Sequence, residues 1–154
     1  KALLAYLGVM PHHFEEWDEL VKKFEDPDTR AELVKNFRAY EEYFELLAAH
    51  AAAQAKVVQF EGYECLFANA HPFITMRSLV GSLLVKQKPP IALLVSAHPE
   101  GFGVALRSDG SVDVAAIARK YGGNGHPGSA GFALEWGKPL PWTLVEKKHE
   151  NPRH

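Results

Sequence analysis

The chain has 154 residues and a formal net charge of −2 at pH 7, with 47% hydrophobic and 23% charged residues. These values are ordinary for a globular protein, and they exclude the strongly basic composition typical of domains that bind long nucleic acids. No apolar run reaches the roughly 18 residues needed to span a bilayer, so we expect no membrane segment. Cys65 is the single cysteine, so no internal disulfide is possible and a cytoplasmic location is expected.

Charge is unevenly distributed along the chain. Residues 1–64 hold 13 acidic and 7 basic residues, whereas residues 65–154 hold 6 acidic and 10 basic residues. The acidic residues of the first part are interpreted as a solvent-exposed helix face. The basic excess of the second part favours an anionic ligand there.

The first part of the chain has helical patterns. Lys1 stands where an initiator methionine would, and Ala2 to Leu7 is apolar from the start, so we interpret the chain as a piece of a longer protein. A short helix is predicted for residues 13–25, and Asp28 is predicted to cap a long helix after Pro27. Apolar residues in that helix alternate spacings of four and three: Leu33, Phe37, Tyr40, Phe44, Leu47 and Ala51. Such a stripe packs against a neighbour, either a second copy in a homodimer or another domain.

From residue 56 onward, strand and helix patterns alternate. Two strands, 56–60 and 63–68, flank a predicted two-residue turn at Glu61-Gly62. A helix over 74–86, strands over 91–95 and 103–106, a helix over 112–121 and a strand over 132–136 follow. This order predicts an α/β fold with a mixed β-sheet flanked by helices and preceded by a long helical connector. The expected domains are a helical segment over 1–55, a domain over 56–145 and a polar tail over 146–154.

One window is unusually rich in glycine. Residues 122–132 contain five of the 12 glycines, together with His126. Consecutive N–H groups in such a loop can bind an anion, and the imidazole adds a directional donor. The alternative is a plain turn between a helix and a strand. The window matches neither the Walker A motif, which ends in Gly-Lys-Ser/Thr, nor the dinucleotide fingerprint, which follows a strand.

Three motifs in order resemble a known family. They are Ala105-Leu106-Arg107-Ser108, then Val112 to Ala118, then Tyr121-Gly122-Gly123-Asn124-Gly125-His126-Pro127-Gly128-Ser129-Ala130-Gly131-Phe132. Together they resemble the C-terminal DHH-associated domain of the DHH phosphoesterase superfamily, over roughly residues 56–136. The helix before them resembles the interdomain connector of that family. Asn124 departs from the usual glycine of the loop, and asparagine tolerates left-handed backbone conformations better than most residues.

The resemblance implies a substrate-binding domain. In that superfamily, which includes RecJ-type exonucleases, nanoRNA-degrading enzymes and cyclic-dinucleotide phosphodiesterases, an N-terminal DHH domain carries manganese and the C-terminal domain holds the substrate. By this resemblance Arg107 binds phosphate, because a guanidinium group suits two phosphate oxygens. The resemblance also implies that the scissile or a neighbouring phosphate is held by loop residues, with Ser108 as a weaker candidate for the same site; the loop residues are Gly122, Gly123, Asn124, Gly125 and His126. Arg77 and Ser78 are possible substrate contacts, although a surface ion pair is equally expected for Arg77.

No metal site is predicted in this chain, and no catalytic residue. The sequence lacks an Asp-His-His triplet; in Pro11-His12-His13 a proline stands where a carboxylate ligand is needed. His71 and His98 lie far apart in sequence without a third partner, which favours structural roles. By the resemblance, Mn²⁺ or Mg²⁺ is expected on an N-terminal DHH domain outside this chain.

Two classes of function remain open. The first is the substrate-binding half of a metal-dependent phosphoesterase that hydrolyses phosphodiester or phosphomonoester bonds of nucleotides or short single-stranded nucleic acids. The second is a non-catalytic module for RNA binding or dimerisation. Arg107 and His126 together favour the first class, because a pure scaffold would not require both.

Overall fold

A computed structural model of the chain describes residues 2–8, 10–11, 13–69 and 74–145. The chain divides into two compact units, Lys1–Ala48 and Ala49–His154. No helix in the described ranges is both long and apolar enough to cross a membrane. The predicted tail over 146–154 lies outside the described residues, as do His12 and His71.

The first unit is helical. It contains α1 (Ala2–Leu7), α2 (Phe14–Glu25) and the greater part of α3 (Pro27–Ala53). Asp26, rather than the predicted Asp28, caps α3: its carboxylate accepts the N–H of Asp28 at 3.0 Å. The predicted cap was two residues too late because Pro27 itself occupies the first helical position, where its fixed φ and missing N–H are tolerated.

The apolar stripe of α3 follows the helix rather than a strict heptad. Leu33, Phe37 and Phe44 are buried, as predicted. Tyr40 is 39% exposed, with its ring 5.2 Å from that of Tyr6. Beyond Phe44 the buried positions are Ala48 and Ala52, each one residue after the predicted Leu47 and Ala51. An α-helix has 3.6 residues per turn, so its buried line drifts away from a 3.5-residue repeat.

The second unit is built on one seven-stranded sheet. Its strands are β1 (Lys56–Phe60), β2 (Tyr63–Asn69), β3 (Ile91–His98), β4 (Gly101–Ser108), β5 (Asn124–His126), β6 (Ser129–Glu135) and β7 (Trp142–Leu144). Its helices after α3 are α4 (Ile74–Gln87) and α5 (Val114–Lys120). The strand order is β5-β6-β4-β3-β2-β1-β7. Strands β2 and β3 pair in parallel and the other described pairs are antiparallel, so the sheet is mixed and the predicted fold class is confirmed.

The predicted hairpin at Glu61-Gly62 is present. Phe60 pairs with Tyr63, and both turn residues have positive φ, 51° at Glu61 and 86° at Gly62. This conformation matches the right-handed twist of the two flanking strands. The Glu61 carboxylate also accepts hydrogen bonds from Lys120 and from the Tyr121 hydroxyl, which tie the turn to the end of α5.

The two faces of the sheet differ. One face carries α5 and the main hydrophobic core, in which Leu106, Phe132 and Phe60 are buried. The other face carries α4, where Ser78 and Gly81 contact Arg107 of β4. Strand alternation therefore places Leu106 in the core and Arg107 on the α4 face.

Two strands were not predicted. The window at 122–128, interpreted from sequence as a loop, contains β5, which pairs with β6 so that His126 lies opposite Ser129. Strand β7 pairs with β1, with Phe60 opposite Trp142. Both strands have only three residues, too few to show the alternation that predicts a strand.

Candidate functional site

Three polar residues form one row across three strands. In β4–β6 pairing Arg107 lies opposite Ser129, and in β5–β6 pairing Ser129 lies opposite His126. Directly opposed residues of antiparallel strands share a face, so all three side chains lie on the α4 face of the sheet. Neighbouring strands are roughly 5 Å apart, which separates the backbones of Arg107 and His126 by about 10 Å.

The guanidinium group of Arg107 is held from two sides. Its Nη1 atom donates to the Ser129 hydroxyl and to the carbonyl of Leu106, the latter at 3.2 Å. Its Nη2 atom donates to the Ser78 hydroxyl of α4 at 3.1 Å. Ser78, expected from sequence as a possible substrate contact in the same cleft, thus contacts the arginine itself.

The positive charge of Arg107 has no acidic partner in the described part of the chain. None of the ion pairs there includes Arg107 or Arg77. Burial lowers the pKa of Arg107, and the neighbouring Arg77 charge lowers it further. An arginine remains charged in proteins despite such a shift. Among the described residues, the charge of Arg107 is therefore not paired with an acidic side chain, an arrangement that attracts an anion.

The tip of the β5–β6 hairpin is fixed at both sides. The carbonyl of Pro127 accepts the N–H of Val114 at 2.9 Å, and the carbonyl of Gly128 accepts the N–H of Ser108 at 3.1 Å. These bonds join the hairpin to the start of α5 and the end of β4. The order of the three sequence motifs thus corresponds to three elements that meet at one edge of the sheet.

Gly122 and Gly123, which precede β5, donate hydrogen bonds to the last turn of α5. The N–H of Gly122 donates to the carbonyl of Arg119 at 3.1 Å, and the N–H of Gly123 donates to that of Ala118 at 2.9 Å. Gly122 has φ +75°, the left-handed conformation that commonly ends a helix. These two amides are therefore already hydrogen-bonded within the protein, whereas Gly125 lies in β5 opposite Ala130.

Asn124 lies in the second row of this face, opposite Gly131. Glu61 is the one non-glycine residue with positive φ among the described residues, so Asn124 is not left-handed. The sequence suggested that asparagine replaces glycine here because it tolerates a left-handed backbone, but Asn124 does not adopt that conformation. The side chain of Asn124 shares the face of His126, two residues further along the same strand.

Ser108 has a local role in the turn after β4. Its hydroxyl accepts the N–H of Gly110 at 3.0 Å and faces that of Val112 at 3.4 Å. Ser108 and Arg107 also border a cavity of about 400 Å³. The remaining residues around this cavity are Ser82, Val85, Lys86, Pro89 and Asp109.

The described residues among those considered for metal binding or nucleophilic chemistry form no common site. No group of three or more His, Cys, Asp or Glu side chains that could hold a metal is present within residues 2–8, 10–11, 13–69 and 74–145. His98 is 3.1 Å from the buried Ser96 hydroxyl, at the end of β3 remote from Arg107. Cys65 is fully buried, and burial raises its pKa to about 11.

Ser129 was the residue that sequence reasoning missed. It lies inside the glycine-rich window, yet no role was assigned to it. The signal was the Pro127-Gly128 pair, because a two-residue turn places the residues on either side of it opposite each other. That turn would have put His126 opposite Ser129 and would have predicted the hairpin.

Residues 66–139 match the family model of the DHHA1 domain. This stretch is thus similar to a DHHA1 domain. This finding confirms the resemblance to the DHH-associated domain, and the matched DHHA1 range includes Arg107, Ser129 and His126. No curated protein sequence matches the chain.

Several solved structures are similar to the chain. An uncharacterized protein from Helicobacter pylori G27 is 20% identical with a TM-score of 0.43, over 76% of this chain and 32% of that chain. The pGpG-specific phosphodiesterase PggH from Vibrio cholerae is 16% identical with a TM-score of 0.48, over 73% and 39%. The DHH domain of a member of a family of ribosomal proteins is 15% identical with a TM-score of 0.47, over 69% and 30%. The chain thus spans about a third of the length of these proteins.

Proposed function

We propose that this chain binds the phosphate group of a nucleotide or of a short single-stranded nucleic acid. In this proposal it is the substrate-binding part of a phosphoesterase that hydrolyses phosphodiester or phosphomonoester bonds. The observation that carries the proposal is the row of Arg107, Ser129 and His126, in which a half-buried guanidinium group has no acidic partner among the described residues. A phosphate is the ligand that such a group binds best, because two of its oxygens match two N–H donors.

The proposed contacts differ in strength. Arg107 supplies the charge and Arg77 adds to it, while His126 supplies a neutral or charged donor from the neighbouring strand. We expect Asn124, two residues before His126 on the same strand, to contact the sugar or a second phosphate. The amides of Gly122 and Gly123 already donate to α5, so we assign to these two glycines the shaping of the loop.

The metal ions implied by the family do not fit the described part of this chain, where no suitable group of ligands exists. We place Mn²⁺ or Mg²⁺ on an N-terminal DHH domain, the expected partner of this chain. The residues of the Arg107 row would then orient the phosphoester and neutralise its charge, and the chemistry of bond cleavage would depend on the partner domain.

The proposal is tested by comparing two ligands that differ in one phosphate. The 154-residue chain is titrated with the dinucleotide pApA and with ApA, which lacks the 5′ phosphate, and binding is followed by NMR chemical shifts. We expect pApA to bind at least about tenfold more tightly, the effect of one charge-assisted contact, and its affinity to fall as salt rises.

No binding of pApA, or an affinity for pApA that does not fall as salt rises, would contradict the proposal; equal affinity for pApA and ApA would assign the site to the internal phosphodiester. A preference for a base-paired RNA hairpin over pApA would instead support the alternative of a non-catalytic RNA-binding module. Perturbed resonances should include those of Arg107 and His126. The amide of His98, at the other end of the sheet, serves as an internal control.

A further inference from the structure

The hydrogen bonds of Arg107 leave part of its guanidinium group unused. A guanidinium group has five N–H donors. Nη1, which carries two of them, has two acceptors in Ser129 and Leu106, and Nη2 has one acceptor in Ser78. No acceptor for Nε occurs in the described part of the chain. Two donors therefore remain, one on Nε and one on Nη2, and they suit two oxygens of a single phosphate.

Helix α4 leaves room for the side chain of Arg107 at one position. A Cβ atom on Gly81 would lie 2.6 Å from Cγ of Arg107 and 2.9 Å from Cδ1 of Leu94. Both distances are shorter than any ordinary contact. A glycine inside a helix costs about 1 kcal/mol relative to alanine. The absence of a Cβ atom at Gly81 allows α4 to pack closely on the aliphatic part of the Arg107 side chain.

We propose that Ser78, Ser129 and Gly81 are positioning residues that hold Arg107 in its ligand-binding conformation before the ligand arrives. This inference rests on the proposed function, because it assumes that Arg107 binds phosphate. Arginine loses several rotatable bonds when it is fixed, and that loss weakens binding when it occurs together with ligand capture. The two serines fix the guanidinium plane and Gly81 fixes the path of the stem. Phosphate then binds to a preformed donor pair.

The first test is a double-mutant cycle on Arg107 and Ser129 with pApA as the probe. Ser129→Ala should weaken pApA binding about threefold to tenfold, because the side chain of Arg107 would then have to be fixed as the ligand binds. In the Arg107→Ala background, the same substitution should change affinity by less than about 1.5-fold, because a positioning residue acts only through its partner. Ser111→Ala removes an exposed hydroxyl that bonds to Asp109, and it is the matched control.

The outcomes distinguish the positioning role of Ser129 from phosphate binding by Arg107. An unchanged affinity in Ser129→Ala, or an equal loss in both backgrounds, overturns the positioning role while leaving phosphate binding by Arg107 intact. An unchanged affinity in Arg107→Ala overturns the proposed function itself. Amide spectra of each variant establish that its fold is retained.

The second test needs no ligand. In the ligand-free chain, the two Nη groups of Arg107 should give separate NMR signals, because hydrogen bonds to Ser78 and Ser129 slow rotation about the Nε–Cζ bond. Ser129→Ala should merge these signals, and Ser111→Ala should not. Signals that are already merged in the unmodified chain would overturn the inference. Gly81→Ala should merge them as well, by displacing the stem of Arg107.

Discussion

The guanidinium group of Arg107 donates a hydrogen bond to the hydroxyl of Ser129 across the β4–β6 strand pair. Ser129 in turn lies opposite His126 across the next pair. The register of two strand pairs thus places a charged donor and an imidazole on one face, although α5 and the start of the glycine-rich window separate them along the chain.

His126→Ala should weaken binding of pApA by roughly 0.5–1.5 kcal/mol, the range for a single hydrogen bond. The imidazole is exposed and lies in the row of Arg107, so its removal should affect affinity more than stability. Titration of the variant checks this, with His98→Ala as the matched control at the far end of the sheet. Equal affinities of His126→Ala and the unmodified chain would remove His126 from the site.

Glu61→Gln should destabilise the fold by about 1 kcal/mol at pH 7. Hydrogen bonds from Lys120 and then from Tyr121 lower the pKa of Glu61 below its ordinary value of 4.5. A lowered carboxylate pKa stabilises the fold above that ordinary value, and the stabilisation is lost as the pH falls through the folded-state pKa. The difference between the two proteins should therefore shrink in acid.

Urea unfolding at neutral pH and again in acid, below the ordinary pKa of a glutamate, measures this difference. A difference of the same size under both conditions would show that the charge of Glu61 plays no part. The same hydrogen bond affects its other partner. Burial and the bond to Glu61 together raise the pKa of the Tyr121 hydroxyl to about 12.

Cys65 should be unreactive towards a disulfide reagent such as DTNB at about pH 8 in the folded chain, because the reactive form is the thiolate. Burial raises the pKa of its thiol to about 11. The same thiol should react at once in denaturant. Rapid reaction without denaturant would show that the core between β2 and its neighbours opens readily.

Mn²⁺ added to the isolated chain should produce no hydrolysis of pApA. The described residues offer no group of ligands that could hold the ion. Release of AMP from pApA, followed by chromatography, is the measurement, and the matched control is the same preparation with EDTA. Hydrolysis that requires Mn²⁺ and copurifies with the chain would mean that metal ligands lie within these 154 residues.

Sequence patterns predicted most of the second unit because its elements have local signals. The Glu61-Gly62 turn, the apolar run that forms β3 and the proline pair after α4 each carry their signal within a few residues. Strand β7 carries none, since its three residues become a strand only by pairing with β1, far away in sequence. Such long-range pairing depends on the finished sheet.

The candidate site was predicted in part. Arg107 and Ser78, both named from sequence as candidate substrate contacts, lie in contact with each other. The meeting of the three motifs at one edge of the sheet was not predicted. The roles of Gly122 and Gly123 could not be predicted, because the sequence does not distinguish a glycine that ends a helix from one that contacts an anion. A role for Ser129 could be predicted only with the strand register, because the register determines which face of the sheet each side chain occupies.

The affinity of Arg107→Ala for pApA tests phosphate binding at this site most directly. Loss of a charge-assisted contact predicts a decrease of roughly 1.5–3 kcal/mol, or about 10- to 150-fold. Arg119→Ala removes the same charge from an exposed position of α5 that pairs with Asp113, and it should retain the original affinity. Unchanged binding by Arg107→Ala, or an equal loss in both variants, would contradict phosphate binding by Arg107.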